Sequence, residues 1–169
     1  MNKAPLTRDA IASITVEEVA AIVGQPVEDV DAATANGSGR LTQGRLSCRG
    51  ALAYVHRLTR EGKLEGRHPY RNIRLTMPVF RIIDATGNGA ARLRESLFFA
   101  ADITIRTDIL TYTRPRVTPA KTQQRICNNV PIAVWAAIEV IAKCCGTGTS
   151  DVACWAVLLH TANKERIKP

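Results

Sequence analysis

The sequence has no apolar run near the roughly 18 residues that a bilayer-spanning helix needs, and its opening, Met1 to Asp9, lacks the apolar core of a secretory signal. The chain is therefore expected to stay where it is made, in the cytoplasm. It also lacks a Cys-x-x-Cys pair. Its five cysteines, Cys48, Cys127, Cys144, Cys145 and Cys154, are odd in number and outline neither a disulfide framework nor a common zinc pattern. Adjacent Cys144 and Cys145 read as small buried side chains; the alternative is a redox or metal role shared with His56, His68 or His160. Paired carboxylates and the residue order of a catalytic triad are missing too. Thr86-Gly87-Asn88-Gly89 lacks the Gly-Lys-Ser/Thr of a phosphate loop and reads as a turn. No catalytic residue, metal ligand or cofactor is nominated, and the chain is not read as an enzyme.

What is present is positive charge. The 169 residues carry a formal net charge of +8, with 46% apolar and 22% charged residues, the usage of a folded protein drawn to polyanions, of which nucleic acid is the commonest. The charge is segregated. Residues 1–39 hold 2 basic and 6 acidic side chains and residues 40–74 hold 9 and 2, while residues 114–126 hold 4 basic and no acidic ones.

The first 64 residues pattern as short helices. Thr15 with Glu18 forms a capping box ahead of the stripe Val16, Val19, Ala20 and Val23, which Gly24 ends. Pro26 suits the first position of a second helix with Val27, Val30 and Ala33 on one face, stopped by Asn36-Gly37-Ser38-Gly39. Leu41 to Leu46 reads as a short ribbon, and Ser47 caps a third helix whose face is Ala51, Leu52, Tyr54, Val55 and Leu58. Through Thr15-Val16-Glu17-Glu18-Val19-Ala20 and Leu46-Ser47-Cys48-Arg49-Gly50-Ala51, residues 14–64 resemble the excisionase-like winged helix-turn-helix family. That resemblance implies that the second helix reads DNA. Glu28, Asp29 and Asp31 there would face phosphates with negative charge, so either contact shifts to Arg40, Arg45, Arg49, Arg57, Arg60 and Lys63, or residues 26–35 meet a protein partner.

The middle, residues 71–119, reads as Asn72–Met77, Val79–Ile83 and Asp102–Arg106 strands around a helix over Ala90–Ala100, followed by an extended linker, Arg114–Pro119. Beyond it, a strand over Gln123–Val130 leads to Pro131 and a helix with Val134, Trp135, Ile138, Ile141 and Ala142 on its apolar face. Gly146 ends that helix, and a second runs from Val152 to about Ala162. Such a piece has too little core to fold alone, and dimerisation would supply the rest.

Val130-Pro131, Ile138, Gly146, Ser150 and Val152 fall where the ribbon-helix-helix DNA-binding family places them, so residues 123–163 resemble that family. The resemblance implies a homodimer whose two strands pair into an antiparallel ribbon in the major groove. Counting back from Val130, Arg125, Cys127 and Asn129 would face the bases, and Ile126, Asn128 and Val130 the core. Thr149 and Ser150 would hold a phosphate at the start of the second helix. The expected fold is α+β, mainly α, in three parts: a helix-turn-helix-like domain (1–70), a small β-containing middle (71–119) and a strand-helix-helix module (120–169). The expected function is sequence-specific binding of double-stranded DNA, as a transcriptional repressor or as an origin or segregation accessory protein of a plasmid or phage. The competing expectation is an interaction or inhibitor protein acting on a host nucleic-acid machine.

Overall fold

The computed structural model describes residues 12–41, 44–117 and 120–167. Met1 to Asp9, parts of the expected Leu41–Leu46 ribbon (42 and 43) and parts of the Arg114–Pro119 linker (118 and 119) lie outside the described residues. The fold is mixed α+β and mainly helical, with eight helices and two small antiparallel sheets among the described residues.

The N-terminal elements form where their capping residues place them. After β1 (Ser13–Thr15), the Thr15 side chain accepts from the Glu18 N–H, and the Glu18 carboxylate accepts from the Thr15 N–H, opening α1 (Val16–Val23). Gly24 closes it in a left-handed conformation with φ 66°. Pro26 stands one place outside α2 (Val27–Thr34), as its N-cap. β2 (Arg45–Ser47) pairs antiparallel with β1, and the Ser47 hydroxyl accepts from the Gly50 N–H to start α3 (Cys48–Arg60). Gly39 and Gly50 meet backbone to backbone: a Cβ on Gly39 would lie 2.4 Å from the Gly50 Cα. This contact presses the loop after α2 onto the first turn of α3, and both positions require glycine.

The rest of the chain is β3 (Arg67–Thr76), α4 (Met77–Asp84), α5 (Gly89–Arg106), the short α6 (Ile109–Tyr112), β4 (Thr122–Pro131), α7 (Ile132–Cys145) and α8 (Thr149–Ile167). Two expected strands are helices. Val79–Ile83 lies in α4, where Val79 and Ile83, four apart, both point inward. Asp102–Arg106 is the last turn of α5, continuing the buried series Leu93, Leu97, Ala100 and Thr104. In five-residue windows a 2-residue and a 3.6-residue period look alike, and the long neighbouring stripe decides. α8 also begins at Thr149, three residues earlier than expected.

β3 and β4 form one antiparallel ribbon, with Arg71 opposite Cys127, Asn72 opposite Ile126 and Ile73 opposite Arg125. The strand partner that the family resemblance assigned to a second chain is therefore supplied by the same chain, where a second strand-helix-helix unit, beginning at Arg67, precedes the one that begins at Thr122. β3-α4-α5 and β4-α7-α8 are two copies of one plan. α5 packs beneath β4, α8 beneath β3, and α5 lies against α8, so the copies interlock around a pseudo-twofold axis. That axis passes through the Asn72–Ile126 pair, since it exchanges Ile73 with Cys127 and Arg71 with Arg125. The core missing from residues 120–169 alone is completed by residues 67–106. One apolar cluster runs from Ile14 to Val157, with α1, β1 and α3 packed on α7.

Candidate nucleic-acid interface

The inward side of the ribbon is held by two matching latches. Arg71 reaches across to α7, where its guanidinium lies 4.6 Å from the centre of the Trp135 ring and 2.6 Å from the Glu139 carboxylate. Arg125 reaches across to α4, with its guanidinium 5.6 Å from the Phe80 ring centre and 3.7 Å from the Asp84 carboxylate. In each case an inward arginine stacks on the aromatic residue at the fourth position of the other copy's first helix and pairs with the acid one turn later. The sequence carries both partners in register, Val79-Phe80-Arg81-Ile82-Ile83-Asp84 and Val134-Trp135-Ala136-Ala137-Ile138-Glu139.

With the arginines turned inward, the middle of the ribbon's exposed face presents Tyr70, Asn72 and Arg74 from β3 and Gln124, Ile126 and Asn128 from β4. Tyr70 and Ile126 are more than half exposed, at 60% and 55%. Neither strand contains a carboxylate. Guanidiniums flank the ribbon at one end, where Arg67 donates to the Asn129 carbonyl at 2.8 Å and Arg94 to the Asn128 carbonyl at 3.5 Å.

The expected assignment of base-facing residues is inverted over most of β4. Cys127 is buried, and burial pushes its thiol up to about 11, so it cannot face a groove. Arg125 is the inward latch, and Ile126 and Asn128, expected inside, are exposed. Asn129 is exposed and Val130 is buried as expected, but the alternation between them and Cys127 is broken. Asn129 takes a left-handed conformation, φ 57°, opposite Pro69, where the ladder has no bridge. Counting back by twos from Val130 crosses this irregular residue and changes face there.

The expected phosphate-holding residues are dispersed. Thr149 and Ser150 do open α8, but the Ser150 hydroxyl accepts from the Arg74 N–H at 3.0 Å, and the Asp151 carboxylate accepts from the Gly148 N–H. That first turn thus fastens β3. Arg40 pairs with Asp31, Arg49 with Asp108, and Arg57 and Lys63 with Glu61, while Arg45 donates to the Ser13 hydroxyl. Arg60 is exposed on α3. These six belong to the N-terminal elements and are not gathered with the ribbon residues. On α2, Glu28, Asp29 and Asp31 are exposed, a surface that would repel phosphate.

Among the described residues no helix is long and apolar enough to cross a membrane by itself, and no group of three or more His, Cys, Asp or Glu could hold a metal ion. No family model, curated protein or solved structure matches the chain. The residues that sequence reasoning missed, Tyr70, Asn72, Arg74, Gln124, Ile126 and Asn128, had a usable signal in the repeated Val-aromatic-x-x-Ile-acid hexapeptide, which marks two equivalent first helices and hence two equivalent strands before them.

Proposed function

We propose that the chain binds double-stranded DNA by laying the β3–β4 ribbon in the major groove, with its two internal copies doing what two subunits do in a ribbon-helix-helix dimer. The observation that carries this reading is the exposed ribbon face: six side chains, five of them polar or hydrogen-bonding, without a carboxylate, on a two-stranded element of a width the major groove admits. Arg74 suits guanine, Asn72, Gln124 and Asn128 suit adenine, and Ile126 suits a thymine methyl group. Arg67 and Arg94 at the ribbon end suit phosphate, and the net charge of +8 favours approach to any duplex. Binding without catalysis then fits a repressor or an origin or segregation accessory protein.

The acidic α2 belongs to a second role. Its exposed Glu28 and Asp29 suit a basic protein surface, so the N-terminal elements would recruit a partner to DNA held by the ribbon.

The test is binding to a mixed duplex library across a salt series. The wild-type chain should select a sequence at moderate salt, and log affinity should fall linearly with log salt. Replacing Asn72, Arg74 and Asn128 together by alanine should abolish selection and leave weak, salt-sensitive binding. Indifference of the wild-type chain to duplex DNA at low salt would refute the proposal and leave the protein-partner role.

A further inference from the structure

We infer that the DNA site is non-palindromic and that one chain occupies it. This rests on the proposed ribbon reading and deepens it. A ribbon built from two identical chains presents the same residues on both sides of its axis and so selects a site with twofold symmetry. Here the two copies are equivalent in backbone and in their inward latches, Arg71 and Arg125, but not on the exposed face.

Around the axis at the Asn72–Ile126 pair, Arg74 is equivalent to Asn128 and Tyr70 to Gln124. The pairs across the ribbon are therefore Arg74 beside Gln124 at one end and Tyr70 beside Asn128 at the other. The first end carries a guanidinium and an amide, which suit adjacent guanine and adenine. The second carries a phenol and an amide; the cations at that end, Arg67 and Arg94, are engaged with the Asn129 and Asn128 carbonyls and suit phosphate, so the preference for guanine is assigned to the half that Arg74 faces. Even the axial pair is unequal, because Asn72 offers hydrogen bonds to one strand's bases and Ile126 only a methyl-sized apolar contact.

The inward and outward faces thus differ in what holds them. The latches are matched because each must fit the same helix face of the other copy, so their chemistry is fixed by packing. The exposed side chains lie outside the core, and there the copies differ at all three equivalent positions. An internal pair of copies, unlike a homodimer, can carry such differences, and that gives a single bound chain a direction along the DNA.

The experiment is selection from a random duplex library with three proteins: wild type, Tyr70→Gln/Asn72→Ile/Arg74→Asn, and Gln124→Tyr/Ile126→Asn/Asn128→Arg. The first variant gives both strands the exposed residues of β4, and the second gives both those of β3. All six substitutions are on the exposed face, and circular dichroism with thermal melting confirms that each variant is folded. The wild type should enrich a non-palindromic sequence with guanine preferred in one half, at about tenfold to a hundredfold over the same half lacking it. The complex should have the mass of one chain per duplex. Both variants should enrich palindromes, the second with guanine in both halves. A palindrome from the wild type, or two chains per site, would overturn the inference while leaving ribbon binding in place. A non-palindromic sequence unchanged in both variants would overturn it as well, by placing the asymmetry outside the ribbon. Absence of any enrichment in all three proteins would overturn the proposed function beneath it.

Discussion

Replacing Arg125 by alanine separates the inward latch from a base-reading residue. If Arg125 read bases, its loss would cost sequence preference and little stability. As a latch it should do the reverse, and its equivalent Arg71 sets the scale. The Arg71 guanidinium lies 2.6 Å from Glu139 and 4.6 Å from the Trp135 ring centre, with both charged side chains only 29% exposed. A partly buried ion pair of this kind contributes about 1 kcal/mol and the stacking about 1 kcal/mol, so Arg71→Ala should cost about 2 kcal/mol. For Arg125 the ion pair is 3.7 Å long to an Asp84 that is 62% exposed, and the ring is 5.6 Å away. The pair contributes about 0.3 kcal/mol there and the stacking about 0.5 kcal/mol, so Arg125→Ala should cost about 1 kcal/mol. Urea unfolding measures both through the midpoint at constant slope. A double-mutant cycle with Glu139→Ala and Asp84→Ala should return coupling of about 1 and about 0.3 kcal/mol. DNA selection by Arg125→Ala should enrich the wild-type sequence. Loss of preference with unchanged stability would refute the inward assignment and restore Arg125 to the groove.

Three further outcomes follow from the packing. Ile73, fully buried beneath the ribbon, should cost about 3–4 kcal/mol as Ile73→Ala, read as a fall in the urea midpoint; a cost under 1 kcal/mol would deny that the ribbon closes over a shared core. Gly39→Ala and Gly50→Ala should each destabilise, because the new Cβ meets backbone at 2.4 Å and 2.7 Å, and thermal melting of either variant at wild-type temperature would contradict that contact. His160 stacks on Phe99 at 4.9 Å and shares a hydrogen bond with Ser96, and burial first, then the Arg92 charge, holds its pKa below the usual 6.5. The unfolded chain then binds a proton more readily than the folded one. Stability should therefore decline as pH falls from about 6.5 toward the depressed value and level off below it, a slope that His160→Gln removes; an unchanged slope in that variant would assign the effect to other groups.

α1, α3 and α7 were legible because their signals are local. Thr15 with Glu18, Gly24, Ser47 and Gly146 sit within one turn of the groups they cap, and the stripe of α7 repeats over enough turns to fix its period. The middle was misread where windows were short. Val79–Ile83 and Asp102–Arg106 each fit two periods, and only burial against Leu93, Leu97 and the opposite strand chooses the helix. The site was misread for a different reason. Which way β4 faces depends on Asn129, whose left-handed backbone stands opposite Pro69, a residue 60 positions away in the chain. The nearest legible hint, the hexapeptide shared by Val79–Asp84 and Val134–Glu139, states that two copies exist but not that they pair with each other.

The sequence by itself determined the caps of α1, α3 and α7, their apolar stripes, the positive charge and the presence of a strand leading into Pro131, since each depends on residues within a few positions of one another or on composition alone. Only the tertiary structure decided that β3 is the partner of β4, that Arg71 and Arg125 turn inward, and that Tyr70, Asn72, Arg74, Gln124, Ile126 and Asn128 are left outside. Those outcomes depend on which surfaces can be buried together once the two copies interlock. An arginine goes inward when an aromatic ring and a carboxylate from a distant helix are waiting for it, and the polar residues beside it are exposed because the pleat sends neighbours to opposite faces.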